Sequence, residues 1–529
     1  MTVRRPHPDT PPGTSGLLLE EPLLFERGAH GRSGASLPPP RVPEVDPATE
    51  IPSPYLRGPA QEDEGLPALS EPEVVRHFTR LSQWNYGIDS GPFPLGSCTM
   101  KYNPRVNEAV ARLPGLAGAH PYLPEARIQG PLALMWHLAR ALAEIGGFAE
   151  VTLQPAAGAQ GELTGVKMIR AWHEHHHGRP REIILVPASA HGTNPATSTL
   201  AGYRTVEIRG NEQGFVEPAA VAEAMDERVA GLMITNPNTL GIFERHIAEI
   251  AEIVHAKGGL LYCDGANMNA LLGQARPGEM GIDVMHFNLH KTFTTPHGGG
   301  GPGAGPVGVC EKMVPHLPTP VVARDGDRYF LDYDRPLSIG RVKPFYGNFG
   351  VLVRAYAFIR EMGADGLKRA SELAVLNANY LRALLEQPEN GGYVPGFPGE
   401  VLHEVVFSDR SFRETGVSTF DVAKRLIDLG FHPPTVYFPL VVHGALMIEP
   451  TETEPKENLD AFVAAMRTVA EEAQSAPERL KAAPTRTIRE RLDETRAARS
   501  PVLRWTPDLD ARIEAQTQRR TSVAGDDDG

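Results

Sequence analysis

Four segments combine residue types and spacings that suit bond chemistry. The run PAAGAQG (155–161) is a turn of small residues leading into a helix-forming stretch. Such a turn leaves backbone N–H groups free at the positive end of a helix dipole, an anion site that most naturally takes a phosphate. It matches neither common glycine-rich phosphate fingerprint, and tight strand–helix packing accounts for the same residues. In SAHGTNP (189–195), His191 follows an apolar strand pattern with Gly192 behind it, so its ring can lie over a flat ligand. A capping or loop histidine is the plainer alternative. Asp264 closes the otherwise apolar YCDGAN (262–267). A carboxylate there is costly unless paired, and it suits a cationic nitrogen or a metal; an N-cap for the following turn is the alternative. Lys291, in HFNLHKT (286–292), follows a strand pattern and opens the glycine-rich FTTPHGGGG (293–301). Glycines let backbone approach a ligand closely, and a lysine held there can have its pKa lowered and act as a Schiff-base nucleophile. A surface lysine beside a flexible loop is the alternative.

The order of these segments raises all four together. His191 precedes Asp264 by 73 residues, and Lys291 follows 27 residues later. A pyridoxal phosphate site needs these parts: a turn for the phosphate, a ring stacked on the pyridine, a carboxylate that keeps the pyridine nitrogen protonated, and a lysine for the Schiff base. The joint pattern points to a pyridoxal 5′-phosphate enzyme with an aspartate-aminotransferase-like fold, and no metal is expected. The run HEHHH (173–177) resembles a metal tract, but it ends a helix pattern where cations suit the dipole, which predicts a solvated face. Cys98, in GSCTMK (96–101), has no paired base and reads as structural rather than nucleophilic.

These residues need a scaffold, and the middle of the chain supplies an alternation. Strand patterns at 149–155, 181–187, 203–209, 230–238, 260–267, 282–288 and 305–311 interleave with helix patterns at 161–178, 218–228 and 246–259. Apolar strands alternating with helices predict a mostly parallel sheet covered on both faces, with function at the carboxyl ends of the strands. Beyond about 345 the pattern changes to long helices (350–363, 366–387) and a few strands (402–408, 445–452), which predicts a smaller α+β domain. The expected division is a Pro-rich arm over 1–70, a large cofactor domain over 71–345, a small domain over 346–475, and a charged tail over 476–529. That tail is helix-prone, and its AGDDDG end is expected to be disordered.

Composition bounds the function. The chain has 529 residues, 41% hydrophobic and 22% charged, more than one core needs and ordinary for a globular protein. With 53 glycines and 49 prolines, long ordered loops are expected. The net charge of −13 disfavours a general nucleic-acid or anionic-membrane binder. No apolar run reaches membrane-spanning length, and the amino terminus lacks a secretory pattern. Cys98, Cys263 and Cys310 lie far apart without CxxC spacing, which excludes a disulfide scaffold or zinc ribbon and fits a reducing, cytoplasmic compartment.

The stretch GPFPLGSCTMKYNP (91–104) closely resembles the PLGSCTMK segment of the glycine cleavage system P-protein family, glycine dehydrogenase (decarboxylating). AAGAQGEL (156–163), SAHGTNPA (189–196), YCDGANMNA (262–270) and NLHKTF with its glycine-rich continuation (288–309) match in the same order. The resemblance runs from about 70 to about 470 and covers the cofactor-bearing half of that family, so the chain resembles subunit 2 of its split form. The resemblance implies that Lys291 carries the cofactor, Asp264 pairs with the pyridine nitrogen and His191 stacks on the ring. By analogy with the wider fold, it implies that the Ala159-Gln160 turn holds the phosphate, with His290 and glycine-rich backbone from a neighbouring subunit. Asn267 would approach the phenolic oxygen. The implied reaction is decarboxylation of glycine, with the aminomethyl group passing to the lipoyl disulfide of H-protein. The implied partners are subunit 1, lipoylated H-protein and, functionally, T-protein and L-protein. Two other readings stand beside it. Another pyridoxal enzyme of the same fold, such as a cysteine desulfurase or an amino-acid decarboxylase, is disfavoured by PLGSCTMK. A non-catalytic stabilising subunit is disfavoured by Lys291, Asp264 and His191 together. The arm is expected to lie across the first subunit in a tetramer holding two copies of each chain.

Overall fold

Strand and helix signals in the middle of the chain assemble into one seven-stranded sheet, β1 (Glu150–Thr152), β2 (Ile183–Pro187), β3 (Arg204–Ile208), β4 (Val229–Thr235), β5 (Leu260–Gly265), β6 (Val284–Phe287) and β7 (Val307–Val309). The computed structural model describes residues 21–27, 34, 36, 38–55, 67–298, 303–506 and 508. Sheet order is β1-β7-β6-β5-β4-β2-β3. Every pairing from β6 to β3 is parallel, while β7 runs antiparallel to both β1 and β6. Strands β4 and β5 are buried along their whole length, because helices cover both faces of the sheet. That is why they read as unbroken apolar runs. One core cluster includes Leu138, Leu142, Leu232, Leu261 and Phe287; another includes Val166, Ile184, Met233, Tyr262 and Val284.

The helix Gly158–His177 follows β1 and lies on the sheet. It ends at Gly178, whose φ of 71° only glycine adopts freely and whose N–H donates to the Glu174 carbonyl. Of the expected solvated HEHHH face, His175, His176 and His177 are exposed, but His173 is fully buried. Its Nε2 lies 2.8 Å from the Ala230 carbonyl, and burial lowers its pKa to about 4. A dipole argument places the end of the helix but not which face turns to the core.

The hairpin β8 (Val321–Asp325) and β9 (Arg328–Asp332) was not expected from the sequence; it is mostly half-buried and carries little apolar alternation. Helical residues then run Phe349–Leu385, broken at Gly363 (φ 62°, ψ −175°), the junction between the two expected helices. A second, antiparallel sheet orders β10 (Val394–Pro395), β11 (Val405–Ser408), β13 (Leu446–Ile448) and β12 (Thr435–Val436) as β10-β11-β13-β12. Helices Thr419–Asp428 and Lys456–Ser475 pack on its core through Val422, Leu426, Phe462 and Met466. Two-residue strands leave no alternation to read, which explains why β10 and β12 were not foreseen.

The chain divides into two compact units, one of Met1–Tyr86 with Pro484–Gly529 and one of Gly87–Ala483. In the first, the helix Glu71–Trp84 opens with a capping box between Ser70 and Glu73. Buried Glu21 accepts from Arg80 and meets His77 at 2.9 Å. Leu23, Val42, Val45, Ile51 and Tyr55 of the expected arm are exposed. Residues 1–20, 28–33, 35, 37 and 56–66 of the arm and the AGDDDG end lie outside the described residues. Among the described residues no helix is long and apolar enough to cross a membrane.

Candidate active site

The carboxyl ends of the parallel strands place three of the four predicted segments on one edge. Asp264, at the end of β5, pairs in register with Thr235 of β4 and His286 of β6. The segment with His191 follows β2, and Lys291 comes four residues after β6. The small-residue turn at 155–157 enters the helix Gly158–His177 beside them.

Asp264 is buried and fully partnered. Asn194 Nδ2 donates to its Oδ2 at 3.0 Å and the Ala266 N–H donates to its Oδ1 at 3.0 Å, while His286 Nε2 lies 3.3 Å from Oδ1. Burial alone would push this carboxyl up. His286, the Asn194 amide, the Lys291 charge and the Ala266 N–H outweigh it and hold Asp264 below the ordinary carboxylate range. His286 is in turn 2.7 Å from the Tyr262 hydroxyl. His191 is exposed at the mouth of the site. Its Nδ1 accepts from the Thr193 N–H at 3.2 Å and lies 2.9 Å from Thr193 Oγ1. Although the residue reaches the surface, the protein crowding its ring, with the Lys291 charge, lowers its pKa against the pull of Asp264.

Lys291 Nζ donates to the Ser97 carbonyl at 2.7 Å. Among the described residues no carboxylate forms an ion pair with it, so the amine is held by a neutral acceptor. That carbonyl belongs to the GSCTMK loop, whose Ser97 (φ 64°) and Thr99 (φ 43°) adopt left-handed backbone that costs non-glycine residues energy. Two fully buried glutamates hold this conformation. The Ser97 N–H donates to Glu404 Oε2 at 2.8 Å and the Thr99 N–H to Glu449 Oε2 at 3.0 Å. Buried Lys101 anchors the loop's far end on Glu452 at 2.6 Å and Asn269 at 2.8 Å. Burial drives Glu404 well up and Glu449 up to about 7. Cys98 is half-buried, and its thiol is likewise raised by burial against the opposing Lys291 charge.

The remaining expected residues sit as follows. Gln160 braces its own turn: Oε1 accepts the Ala156 N–H at 2.6 Å and Nε2 donates to the Val342 carbonyl at 2.9 Å. Ala159 is exposed in the first turn of the helix. His290 is buried, its Nδ1 has no partner among the described residues, and burial lowers its pKa to about 3. Asn267 is buried, with Nδ2 donating to the Pro237 carbonyl at 2.9 Å and Oδ1 unpartnered among the described residues. Residues 299–302 of the glycine-rich run lie outside the described residues.

Sequence reasoning passed over Glu162, Glu404 and Glu449. Glu162 is buried 3.1 Å from the same Asn194 Nδ2 and 2.7 Å from Thr193 Oγ1. Burial and the Asp264 charge, partly offset by Thr193 and Asn194, push it up to about 8. The signal that singled out Asp264, an acid closing an apolar strand, is equally present at Glu449 in ALMIEPTE (445–452).

A family model described as "Glycine dehydrogenase, C-terminal domain" matches residues 370–490, and one described as "Aminotransferase class-V" matches 164–300. The protein named "Probable glycine dehydrogenase (decarboxylating) subunit 2" of Halalkalibacterium halodurans is 57% identical over 486 residues, covering 92% of this chain and 98% of that protein. The chain belongs to the glycine dehydrogenase (decarboxylating) subunit 2 family. A crystal structure of glycine decarboxylase (P-protein) of the glycine cleavage system, in inhibitor-bound form, superposes with a TM-score of 0.65 at 21% identity, over 80% of this chain and 93% of that one. An aspartate aminotransferase from Thermus thermophilus gives 0.52 at 18% identity, over 72% and 99%. At these identities the likeness is one of fold, and the fold of this family member is aspartate-aminotransferase-like.

Proposed function

We propose that this chain decarboxylates glycine with the help of pyridoxal 5′-phosphate and passes the aminomethyl group to the lipoyl arm of an H-protein. It would act in the cytoplasm together with a first subunit. The observation that carries this reading is the convergence of Lys291, Asp264 and His191 at one edge of the sheet, in a chain of the glycine dehydrogenase subunit 2 family.

The donor set suits the cofactor. Lys291 presents an amine held by a carbonyl and by no carboxylate among the described residues. Asp264 is a buried carboxylate kept ionised by its neighbours, which is what a protonated ring nitrogen requires opposite it. His191 offers an imidazole ring at the mouth of the site. The first turn of the helix Gly158–His177 offers N–H groups at a positive dipole end to a phosphate. His290, neutral at physiological pH, would add an uncharged contact there, and Asn267 would face the phenolic side. Bound in this way, the cofactor's pyridinium ring supplies the electron sink for the pair released when carbon dioxide leaves glycine. Asp264 keeps that sink charged. His191 would lie over the ring and shield it from water. Through the loop's backbone N–H groups, Glu404 and Glu449 would hold the Ser97 carbonyl against Lys291, and among the described residues neither forms an ion pair with the amine.

The test is direct. The wild-type chain titrated with pyridoxal phosphate should develop a visible band that borohydride abolishes, and with first subunit and H-protein it should exchange labelled bicarbonate into glycine. Lys291→Ala should lose the band and nearly all exchange, because no other group forms the covalent link. Wild-type exchange in Lys291→Ala would refute the assignment.

A further inference from the structure

Glu162 joins two residues that the proposed reaction uses from opposite sides. Thr193 Oγ1 lies 2.7 Å from Glu162 Oε1 and 2.9 Å from His191 Nδ1. Asn194 Nδ2 lies 3.1 Å from Glu162 Oε2 and 3.0 Å from Asp264 Oδ2. The proton count of this set follows from which groups can donate.

A backbone N–H only donates, and the Thr193 N–H points at His191 Nδ1 at 3.2 Å. That ring nitrogen is therefore an acceptor and carries no proton. A threonine hydroxyl has one proton. If Glu162 were ionised, it would draw that proton to itself and leave lone pairs of Thr193 Oγ1 and His191 Nδ1 facing each other across 2.9 Å. If Glu162 is a neutral acid, its own hydroxyl donates to Thr193, and the Thr193 hydroxyl donates to His191. Its second oxygen still accepts from Asn194, whose other N–H serves Asp264. The single Nδ1 lone pair is then shared by the Thr193 hydroxyl at 2.9 Å and the Thr193 N–H at 3.2 Å, Thr197 can donate to a remaining lone pair of Glu162, and no two lone pairs face each other. Burial and the Asp264 charge act in the same direction and push Glu162 up to about 8.

We infer that Glu162 is a positioning residue that works as a neutral acid: through Thr193 it fixes His191 with its proton on Nε2, and through Asn194 it orients the donor that keeps Asp264 ionised. This rests on the reading of His191 and Asp264 as cofactor-facing groups. The titratable groups packed around Glu162 are Asp264 and Tyr262 on β5, His286 on β6 and His191 ahead of the helix Thr193–Leu200; Lys291 acts electrostatically on Asp264, His286 and His191.

The experiment compares Glu162→Gln, Glu162→Ala and Thr193→Val in the full-length chain by two measurements. Glutamine reproduces the neutral acid, with an N–H for Thr193 and an oxygen for Asn194. The first measurement is the melting temperature from pH 6 to pH 10 without added cofactor. Glu162→Gln should lose part of the decline that wild type shows between about pH 6 and pH 8 and run parallel to wild type above pH 8, a change that loss of packing alone does not produce. The second is the dissociation constant for pyridoxal phosphate at pH 7.5. Glu162→Gln should stay within about threefold of wild type, whereas Glu162→Ala and Thr193→Val should weaken binding tenfold or more. Glu162→Gln as weak as Glu162→Ala would mean that the charged carboxylate is needed, and Glu162→Ala equal to wild type would mean that Glu162 positions nothing; either result overturns the inference. A wild-type chain that binds no pyridoxal phosphate but shows the expected melting pattern overturns the functional reading and supports the neutral Glu162.

Discussion

Asp264 and Glu162 share one asparagine amide and are driven in opposite directions by their surroundings. His286, Asn194 and Lys291 outweigh burial at Asp264, while burial and the Asp264 charge dominate at Glu162. The charge on Asp264 is the property that matters for the reaction proposed. Asp264→Asn keeps the shape and the Asn194 contact region but removes that charge. Bicarbonate exchange should fall on the order of a thousandfold, about 4 kcal/mol of barrier, while cofactor still binds. Near-normal exchange would reduce Asp264 to a turn cap. Glu449 makes a different prediction. Burial lifts it from 4.5 to about 7, so the folded chain holds a proton that the unfolded chain releases at lower pH. The stabilisation from that proton is complete below pH 4.5 and disappears as pH rises through 7. The melting temperature of wild type should therefore decline between pH 5 and pH 8, and Glu449→Gln should flatten the decline. An unchanged slope in a thermal-shift series would show that Glu449 is ionised in the native state.

The helix Gly158–His177 shows how an element positions a site through what it lacks. Gly158, Gly161 and Gly165 form a bare stripe against the sheet. A Cβ at these positions would come within 2.8 Å of Asn288 Oδ1, 2.7 Å of the Gly305 carbonyl and 2.5 Å of the Tyr262 ring, respectively. The helix can thus lie close enough to bring its amino terminus to the strand ends. Gly305, just before β7, meets the same turn from the other side, with a Cβ falling 2.1 Å from the Ala157 carbonyl. Backbone cannot yield cheaply there. Gly305→Ala should cost about 1–3 kcal/mol in a denaturant titration and weaken pyridoxal phosphate binding tenfold or more, because it displaces the proposed phosphate turn. Gly192→Ala, where nothing lies within 4 Å of the added Cβ, is the control and should be near neutral for stability. Equal effects from the two substitutions would remove the argument from close approach.

The apolar residues Leu23, Val42, Val45, Ile51 and Tyr55, exposed along the arm, are a feature of the whole molecule. Each such leucine or isoleucine, buried in an assembly, contributes roughly 1.5–3 kcal/mol before ordering costs. This supports the proposal that the arm lies across a first subunit in a tetramer with two copies of each chain. Deletion of residues 2–65, followed by co-expression with the first subunit and light scattering on dilution, should give a complex that dissociates at higher concentration than wild type. An equally dilution-resistant tetramer would show that the arm is dispensable.

Local rules made part of this protein legible in its sequence. Short apolar runs alternating with 3.6-period patterns marked the strands and helices of the large sheet, and a polar residue at the end of an apolar strand singled out His191, Asp264 and Lys291. These are statements about a residue and its near neighbours, so the chain alone determines them. The GSCTMK loop is a different case. Its strained backbone is held by Glu404 and Glu449, which lie 307 and 350 residues away from Ser97 and Thr99. The neutral state of Glu162 likewise depends on burial between a helix and a sheet and on a carboxylate delivered by another strand. Whether a buried acid carries a charge is decided by the free energy of removing it from water against the partners that meet it there, and only the tertiary structure brings those partners together.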